Sequence, residues 1–408
     1  MNISLFCCLA TLVSCAATQG KLKYQLNEHV QAEGSKIGWN LRCAAEKKIC
    51  LKVKEALHLA ARFVENAIIL KPIKVLVYFR PFQHIDGTGK IIGTGRPKYL
   101  PVQADNLKIL YPQALYKQIY KTNNVKFANF DCVINTNATK DFYFPSDYHK
   151  KITPTQLSYM DHLIHEMNHG LGFHSKLKGA YEKHIYNTGC HEDVPLSVFD
   201  THTFIKKTNK PFLHYALQST RTCSTSNEGP PTLDKPQDYE GFDLFHAFSK
   251  AIKGNEAFYF KTSQGTRVNL EHSIKDGIKL DHLNKEDYIN TKDQIALAKR
   301  RKGRGISDMF QRDQEWPTSP YGPETLKVLT TLGYKLNPSP KYENSMQYHY
   351  FKFLEAKSNT ETPPRGRKKT LGNSRGQGVI KIPSLNPSFP SLGSKGNNHQ
   401  VESTLKSE

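Results

Sequence analysis

The residues of this chain best suited to chemistry are two histidines and a glutamate in the run His165-Glu166-Met167-Asn168-His169. Residues four apart on an α-helix share one face, so both imidazoles can bind a single metal ion from one side. Histidine nitrogen is a common ligand of Zn²⁺ in proteins. The glutamate after the first histidine is then placed to accept a proton from a water molecule on the metal. The spacing predicts a zinc site in which Glu166 is a general base and not a ligand.

A helix must position this motif, and the flanking residues predict one. Thr153 suits the N-cap, Pro154 the first helical position, and Gln156 completes a capping box. Apolar residues then recur at helical spacing, at Leu157, Met160, Leu163, Ile164 and Met167. Gly170 and Gly172 follow the second histidine, where a helix would end. We therefore expect a helix from Thr153 to just past His169.

The rest of the chain mixes helical and strand patterns. The predicted helices are Val53–Leu70, Tyr111–Tyr120, Phe242–Ala251 and Gly322–Leu332, the last ending at Gly333. The predicted strands are Ile73–Phe79, Phe127–Ile134 and short strands such as Ser197–Ile205, with a loop at Asp86–Gly95.

Residues 1–20 are typical of a secretory signal peptide, with a mostly apolar stretch over Ile3–Val13 followed by small residues. The stretch is too short to span a membrane, and no later stretch approaches the required length. We therefore expect a secreted, extracellular protein without a membrane span.

Export favours disulfide bonds over metal ligation for the cysteines that remain after the signal peptide is cleaved. Proximity in sequence favours the pairs Cys43–Cys50 and Cys190–Cys223, with Cys132 left over. Asn137-Ala138-Thr139 is a sequon for N-glycosylation, which is consistent with a eukaryotic exported protein.

The chain has 408 residues and a formal net charge of +20, with Lys and Arg spread over its whole length. A nucleic-acid-binding protein would show a contiguous basic stripe with interleaved aromatic residues, so no specific nucleic acid is predicted as a partner. Residues 336–408 are expected to be a linker and tail. Beyond about Glu355 they are rich in Ser, Asn, Pro, Gly and Lys and poor in apolar residues, which predicts disorder. This basic tail leaves attraction to anionic surfaces open.

The segment His165–Phe173 resembles the H-E-x-x-H-G-L-G-F signature of secreted zinc metallopeptidases similar to leishmanolysin, in the metzincin-like branch of the zincins. Further segments resemble that group in the same order, at Ala56–Phe79, Val198–Asp200, Asp281–Asn284, Tyr288–Thr291 and Thr325–Tyr334. The resemblance implies an α+β, zincin-like metallopeptidase domain over residues 21–335. Such a domain has a mixed sheet, an active-site helix and a helical C-terminal subdomain.

The third metal ligand is the open question of the sequence. A standard metzincin places a histidine six residues past the second one, but that position is Ser175 here, and His174 falls one residue short. The resemblance to leishmanolysin-like enzymes implies His282 instead, from a segment far downstream. His174 and Asp200 stay open as alternatives.

The turn that forms the floor of a metzincin site departs from the family pattern. The usual turn methionine aligns best with Ala296, and Met309 lies later than expected. The shape of the floor, and with it full activity, depends on what replaces that side chain.

The motif and the resemblance imply a secreted zinc endopeptidase that acts on protein or peptide substrates. Three ligands leave a fourth position for water and lower the pKa of that water toward about 7. Glu166 accepts its proton during attack on the scissile carbonyl and passes it to the leaving amine.

Two alternatives remain. The missing turn methionine favours a zincin that retains zinc, lacks activity and acts as an extracellular binding protein. The charge favours a basic extracellular protein that binds glycans, anionic surfaces or nucleic acid through its tail.

Overall fold

The computed structural model of this chain describes residues 24–82, 91–104, 107–177, 196–214, 257–271, 280–298, 302–304, 319–350 and 352. All of them belong to one compact unit, Met1–Glu361, and a second unit covers Thr362–Glu408. Several predicted features lie outside the described residues: the signal peptide, Cys190, Cys223, the helix Phe242–Ala251, Met309 and the tail.

Strands and helices are mixed along the described residues, which confirms the predicted α+β class. The strands are β1 (Leu26–Val30), β2 (Ile37–Cys43), β3 (Ile68–Ile69), β4 (Ile73–Arg80), β5 (Gly93–Pro97), β6 (Tyr99–Ala104), β7 (Leu107–Pro112), β8 (Cys132–Asn137), β9 (Phe142–Tyr143), β10 (Leu157–Ser158), β11 (Thr203–Ile205), β12 (Lys210–Pro211), β13 (Phe258–Lys261), β14 (Arg267–Leu270) and β15 (Lys335–Leu336). The α-helices are α1 (Lys47–Ala67), α2 (Gln113–Ile119), α3 (Tyr159–Gly170), α4 (Val198–Thr201), α5 (Lys285–Tyr288) and α6 (Pro323–Leu332). Short 3-10 helices occur at Pro145–Asp147, Gln294–Ala296 and Tyr342–Asn344.

The central element is a five-stranded mixed sheet with the strand order β1-β2-β4-β8-β5. Strands β2, β4 and β8 run parallel, and the edge strands β1 and β5 are antiparallel to their neighbours. Parallel strands are usually covered on both faces and are therefore rich in apolar residues. Strand β4 departs from this rule, because Ile73, Val75, Val77 and Phe79 are buried on one face while Lys74 and Arg80 on the other face are exposed. The predicted mixed sheet is confirmed.

Helix α1 covers part of this sheet through one apolar face. Its buried residues recur at helical spacing, as in Val53, Leu57, Ala60 and Val64, and the helix contacts β1, β2 and helix α3. It begins at Lys47 and ends at Ala67, earlier at both ends than the predicted Val53–Leu70. The end is earlier because Ile68 and Ile69 pair with β15 as strand β3.

Other predicted boundaries also shifted. The strand predicted at Phe127–Ile134 lies at Cys132–Asn137, and the helix predicted at Tyr111–Tyr120 is the shorter α2, because Tyr111 belongs to β7. The end of the predicted glycine-rich loop is wrong, since Gly93 to Pro97 form β5 and pair with β8.

The described part of the C-terminal half is not simply helical. Strands β12, β11, β13 and β14 form an antiparallel sheet in that order. The predicted strand Ser197–Ile205 is half wrong, because Val198–Thr201 form helix α4 before β11 begins. Helix α6 is confirmed with its predicted end, where Gly333 takes the left-handed conformation at φ 120°.

Packed structure continues past residue 335, where the sequence placed the end of the domain. Strand β15 pairs with β3, and the backbone N–H of Asn337 donates to the carbonyl of Ala67. Met346 and His349 are buried, and the His349 ring lies 5.6 Å from that of Phe63. The domain therefore includes residues up to at least Tyr350.

Two predictions about cysteine are confirmed. Cys43 and Cys50 form a disulfide bond, and Cys132 is a buried free thiol whose pKa burial raises. Among the described residues, no helix has both the length and the apolar character needed to cross a bilayer.

The predicted sequon lies at the end of β8, where its asparagine is 1% exposed. The Asn137 side-chain amide donates to the carbonyl of Ile91, and its oxygen accepts from Phe82 and Thr139. The folded protein therefore leaves no room for a glycan on Asn137.

Candidate metal centre

Helix α3 carries the predicted motif, but it starts later than expected. Ser158 is its N-cap, with its hydroxyl accepting from the backbone N–H of Asp161 at 3.3 Å. The prediction of Thr153 as N-cap was wrong. Thr153 and Gln156 close a separate turn, in which each backbone N–H is bonded to the other residue, before β10 begins. The helix ends at Gly170 as predicted, and Gly172 turns the chain away at φ 118°.

The structure brings His165, His169 and His282 together. The Nε2 atom of His165 lies 3.0 Å from that of His169 and 3.3 Å from that of His282. Zinc–nitrogen bonds in a tetrahedral site place ligand nitrogens about 3.3 Å apart, so the spacing suits one shared ion. Among the described residues, these three are the group of metal-ligating side chains close enough to hold a metal.

The second ring nitrogen of each histidine faces an oxygen atom. The Nδ1 atom of His165 lies 2.7 Å from the carbonyl of Ile295, that of His169 lies 2.8 Å from the carbonyl of Phe173, and that of His282 lies 2.9 Å from the Asp281 carboxylate. At His165 and His169 the carbonyl acceptor at Nδ1 holds the proton there and leaves the Nε2 lone pair free to bind a metal. The Nδ1 atom of His282 lies close to Asp281 without hydrogen-bond geometry.

Electrostatics at the three rings also suit metal binding. Burial lowers the pKa of His169, so this ring is neutral near pH 7, as a metal ligand must be. Burial alone would raise the pKa of Asp281, but the neighbouring His282 ring outweighs it and holds that pKa below its ordinary value. Asp281 is thus an anion beside the His282 ring. Three imidazole nitrogens that face one another fit Zn²⁺ well.

Glu166 lies beside this cluster without belonging to it. Its Oε1 atom is 4.0 Å from Nε2 of His165 and 3.4 Å from Nδ1 of His162. The side chain is buried on helix α3. The carboxylate therefore lies next to the Nε2 atom of His165, beyond hydrogen-bond distance from it.

A single 3-10 turn, Gln294–Ala296, supports ligands from both parts of the chain. The carbonyl of Ile295 accepts from His165, and the carbonyl of Ala296 accepts from the backbone N–H of Leu283, next to His282. Leu283 is fully buried, and its backbone forms isolated β-bridges with Leu270 and Leu297. Backbone carbonyls therefore form the floor where the resemblance leads one to expect a methionine, and Ala296 is small and buried there.

Asp200, one of the alternative ligands, is used elsewhere. Its two carboxylate oxygens accept from the hydroxyls of Ser175 and Ser197 and from the backbone N–H groups of Lys176 and Ser197. Burial raises the pKa of this carboxyl, and those hydrogen bonds lower it in part. Asp200 therefore caps α4 and ties it to the segment that follows α3.

His174, the other alternative, does not join the three Nε2 atoms. Its Nδ1 atom lies 2.9 Å from the hydroxyl of Tyr99, and its ring centroid is 6.1 Å from that of His169. Burial lowers the pKa of His174 to about 4, so the ring is neutral. Lys176 lies over the Tyr99 ring at 4.5 Å. His174 and Tyr99 are thus a half-buried, hydrogen-bonded pair beside the candidate metal centre.

Comparison with known proteins places the whole site within one family. The SPBPB7E8-like family model matches residues 9–205 and 240–370, which is more than half of the chain. This chain belongs to the SPBPB7E8-like family. The matched ranges include all three histidines and Glu166, and the family description names no reaction. No curated protein and no solved structure shows significant similarity to the chain.

Several residues that surround the candidate metal centre were not predicted from the sequence. His162 lies one helical turn before Glu166, and that spacing on a helix was the available signal. Asp281 directly precedes His282, so a carboxylate next to a proposed ligand was also visible. Tyr99 and Ile295 left no signal, because only the tertiary fold brings them to the site.

Proposed function

We propose that this chain is a secreted zinc-dependent endopeptidase with a zincin-like fold, similar to the leishmanolysin-like enzymes. His165, His169 and His282 would hold the metal. The observation that carries the proposal is the convergence of their Nε2 atoms, each opposite an Nδ1 atom that faces an oxygen. A buried carboxylate beside the same cluster supplies the base that peptide hydrolysis needs.

Bound zinc would supply Lewis-acid chemistry, which makes water more acidic and polarises a carbonyl group. Glu166 moves the proton. Its Oε1 atom faces the cluster, so it takes a proton from the attacking water and returns it to the leaving amine. The carbonyls of Ile295 and Phe173 hold the His165 and His169 rings in place, and the Asp281 carboxylate lies beside the His282 ring.

Strand β5 is the element best placed to bind a peptide. It is the edge of the central sheet, and it packs directly against helix α3. An added Cβ at Gly95 would lie 2.1 Å from the carbonyl oxygen of Glu166, which shows how close strand and helix are. The outer edge of β5 has no strand partner among the described residues, so an extended peptide that pairs with it would gain main-chain hydrogen bonds beside the base. Any sequence with an extended backbone can pair this way.

Export is part of the proposal. The disulfide Cys43–Cys50 is typical of proteins that fold in an oxidising compartment. The predicted signal peptide over residues 1–20 would direct the chain there.

The test combines metal analysis with hydrolysis of casein by purified secreted protein. We expect one zinc per chain and hydrolysis that a chelator stops. Glu166→Gln should lower turnover by about 10²–10⁴-fold, because the base is lost, while zinc content stays the same. A variant that keeps most of its turnover would refute the role of Glu166.

Full zinc occupancy in a wild-type protein that hydrolyses nothing would favour the inactive, zinc-retaining binding protein. Absence of zinc would refute the metal centre itself.

A further inference from the structure

We propose that His162 is a positioning residue, which holds the Glu166 carboxylate against the metal centre from the protein interior. The inference rests on the proposed peptidase function, in which Glu166 is the base. The two residues are one helical turn apart on α3, and Nδ1 of His162 lies 3.4 Å from Oε1 of Glu166. The same oxygen lies 4.0 Å from Nε2 of His165, so it is located between His162 and the ligand nitrogens.

The far side of the His162 ring is held by strand β8 and by an aromatic ring. Its Nε2 atom lies 3.2 Å from the hydroxyl of Thr136, and the ring stacks on Phe142 with a centroid separation of 5.7 Å. A threonine hydroxyl that donates to Nε2 requires the ring proton to be on Nδ1, which faces Glu166. An ionised Glu166 carboxylate can only accept, so its position beside Nδ1 favours a proton there, and the Thr136 hydroxyl can then donate to Nε2.

Strand β5 closes the remaining side through two glycines. A Cβ at Gly93 would lie 2.3 Å from Cε1 of His162, and a Cβ at Gly95 would lie 2.1 Å from the backbone oxygen of Glu166. Residues two apart in a strand share one face, so both glycines press the same strand surface against the helix. The imidazole is 1% exposed, and strands β5 and β8 and the Phe142 ring restrict its rotation.

A buried histidine that only fills space would not need its Nδ1 atom near the base. The two amide substitutions separate these roles, because the amide nitrogen of asparagine overlays Nδ1 and that of glutamine overlays Nε2. His162→Asn keeps a donor toward Glu166 and loses the contact with Thr136. His162→Gln keeps the contact with Thr136 and loses the donor toward Glu166.

The experiment measures kcat, KM, zinc content and melting temperature for both variants. We expect His162→Gln to lower kcat between about tenfold and a hundredfold, with KM and zinc content unchanged, since misplacing a reacting group by about 1 Å has effects of that size. His162→Asn should retain most of the wild-type kcat. Equal kcat values in the two variants, whether both normal or both low, would overturn the proposal.

Crystal structures of both zinc-loaded variants give a second readout that does not depend on activity. The Glu166 carboxylate should keep its position in His162→Asn and leave it in His162→Gln. An unmoved carboxylate in His162→Gln would overturn the positioning role. If the wild type hydrolyses nothing, the peptidase function fails, and these structures still decide whether His162 positions Glu166.

Thr136→Val serves where neither histidine variant folds, because it removes the hydroxyl while keeping the shape of the side chain. We expect a smaller loss of kcat in the same direction, and a normal kcat would count against the proposal.

Discussion

At the candidate metal centre, the Nε2 atoms of three histidines face one another across 3.0 and 3.3 Å, and the second nitrogens of His165 and His169 lie against carbonyl acceptors. Around the buried carboxylates of Asp200 and Asp293, every oxygen accepts from a donor of the protein. Both regions bury polar side chains. The candidate metal centre leaves three nitrogen atoms directed at a common point, whereas the two carboxylates have no oxygen atom without a donor.

This difference separates residues that do chemistry from residues that hold the fold. Asp200 and His282 are both polar residues downstream of helix α3, and both were candidates for the third ligand. The donors that occupy Asp200 come from Ser175, Lys176 and Ser197, and only the fold brings the first two there. A buried polar group whose hydrogen bonds are complete is structural, because a ligand would have to break them.

The largest effect that would sharpen the comparison is on zinc affinity. His282→Ala should weaken zinc binding by more than about a hundredfold, since even residues that only orient ligands contribute 10–100-fold. Asp200→Asn and His174→Ala should bind zinc within a few-fold of wild type. Competition with a chromogenic chelator measures all three. Full zinc affinity in His282→Ala would show that His282 is not a ligand and does not differ from Asp200 in this respect.

A smaller effect is expected on stability, at the second region. The Asp293 carboxylate accepts from the backbone N–H groups of Glu324 and Thr325 and from the Thr325 hydroxyl, and so caps helix α6 from outside. Asp293→Ala should lower the free energy of unfolding by about 2–3 kcal/mol, because buried donors lose their acceptor. Denaturant unfolding of the metal-free protein measures it. Glu286→Ala, which removes an exposed carboxylate from α5, is the control and should cost little.

The effect that is smallest at neutral pH, and that grows only in acid, concerns a buried histidine outside both regions. Burial, together with Arg62 and Lys352, lowers the pKa of His349 to about 4. The unfolded chain takes up this proton near pH 6.5, while the folded protein does not until about pH 4. Because the unfolded chain binds this proton and the folded protein does not, the free energy of unfolding falls as pH falls from 6.5 to 4. His349→Gln should show a weaker acid dependence of unfolding than wild type over that range. Parallel curves for the two proteins would contradict the prediction.

Local pattern predicted the part of the site that lies on one helix. The apolar spacing and the two glycines were enough for the face and the end of α3. Its start was mispredicted because Leu157 and Ser158 pair with Phe142 and Tyr143 as strands, and that pairing is not visible in a local window. Tertiary contacts decided that boundary.

The remaining site residues come from distant segments. His282 was placed among the ligands by resemblance alone, since nothing in the residues around it has a helical or strand period. The floor at Ile295 and Ala296 acts through backbone carbonyls, which any residue type provides. Side-chain identity therefore gives no signal for such a position.

The burial of Asn137 has a consequence for how the chain is made. Its amide nitrogen, the atom to which a glycan would be attached, donates to Ile91 in the finished sheet. In a chain exported as proposed, glycosylation and closure of the sheet compete for the same atom. A molecule modified first cannot complete the end of β8. The fraction of glycosylated chains would therefore report whether the end of β8 closes before or after Asn137 is glycosylated.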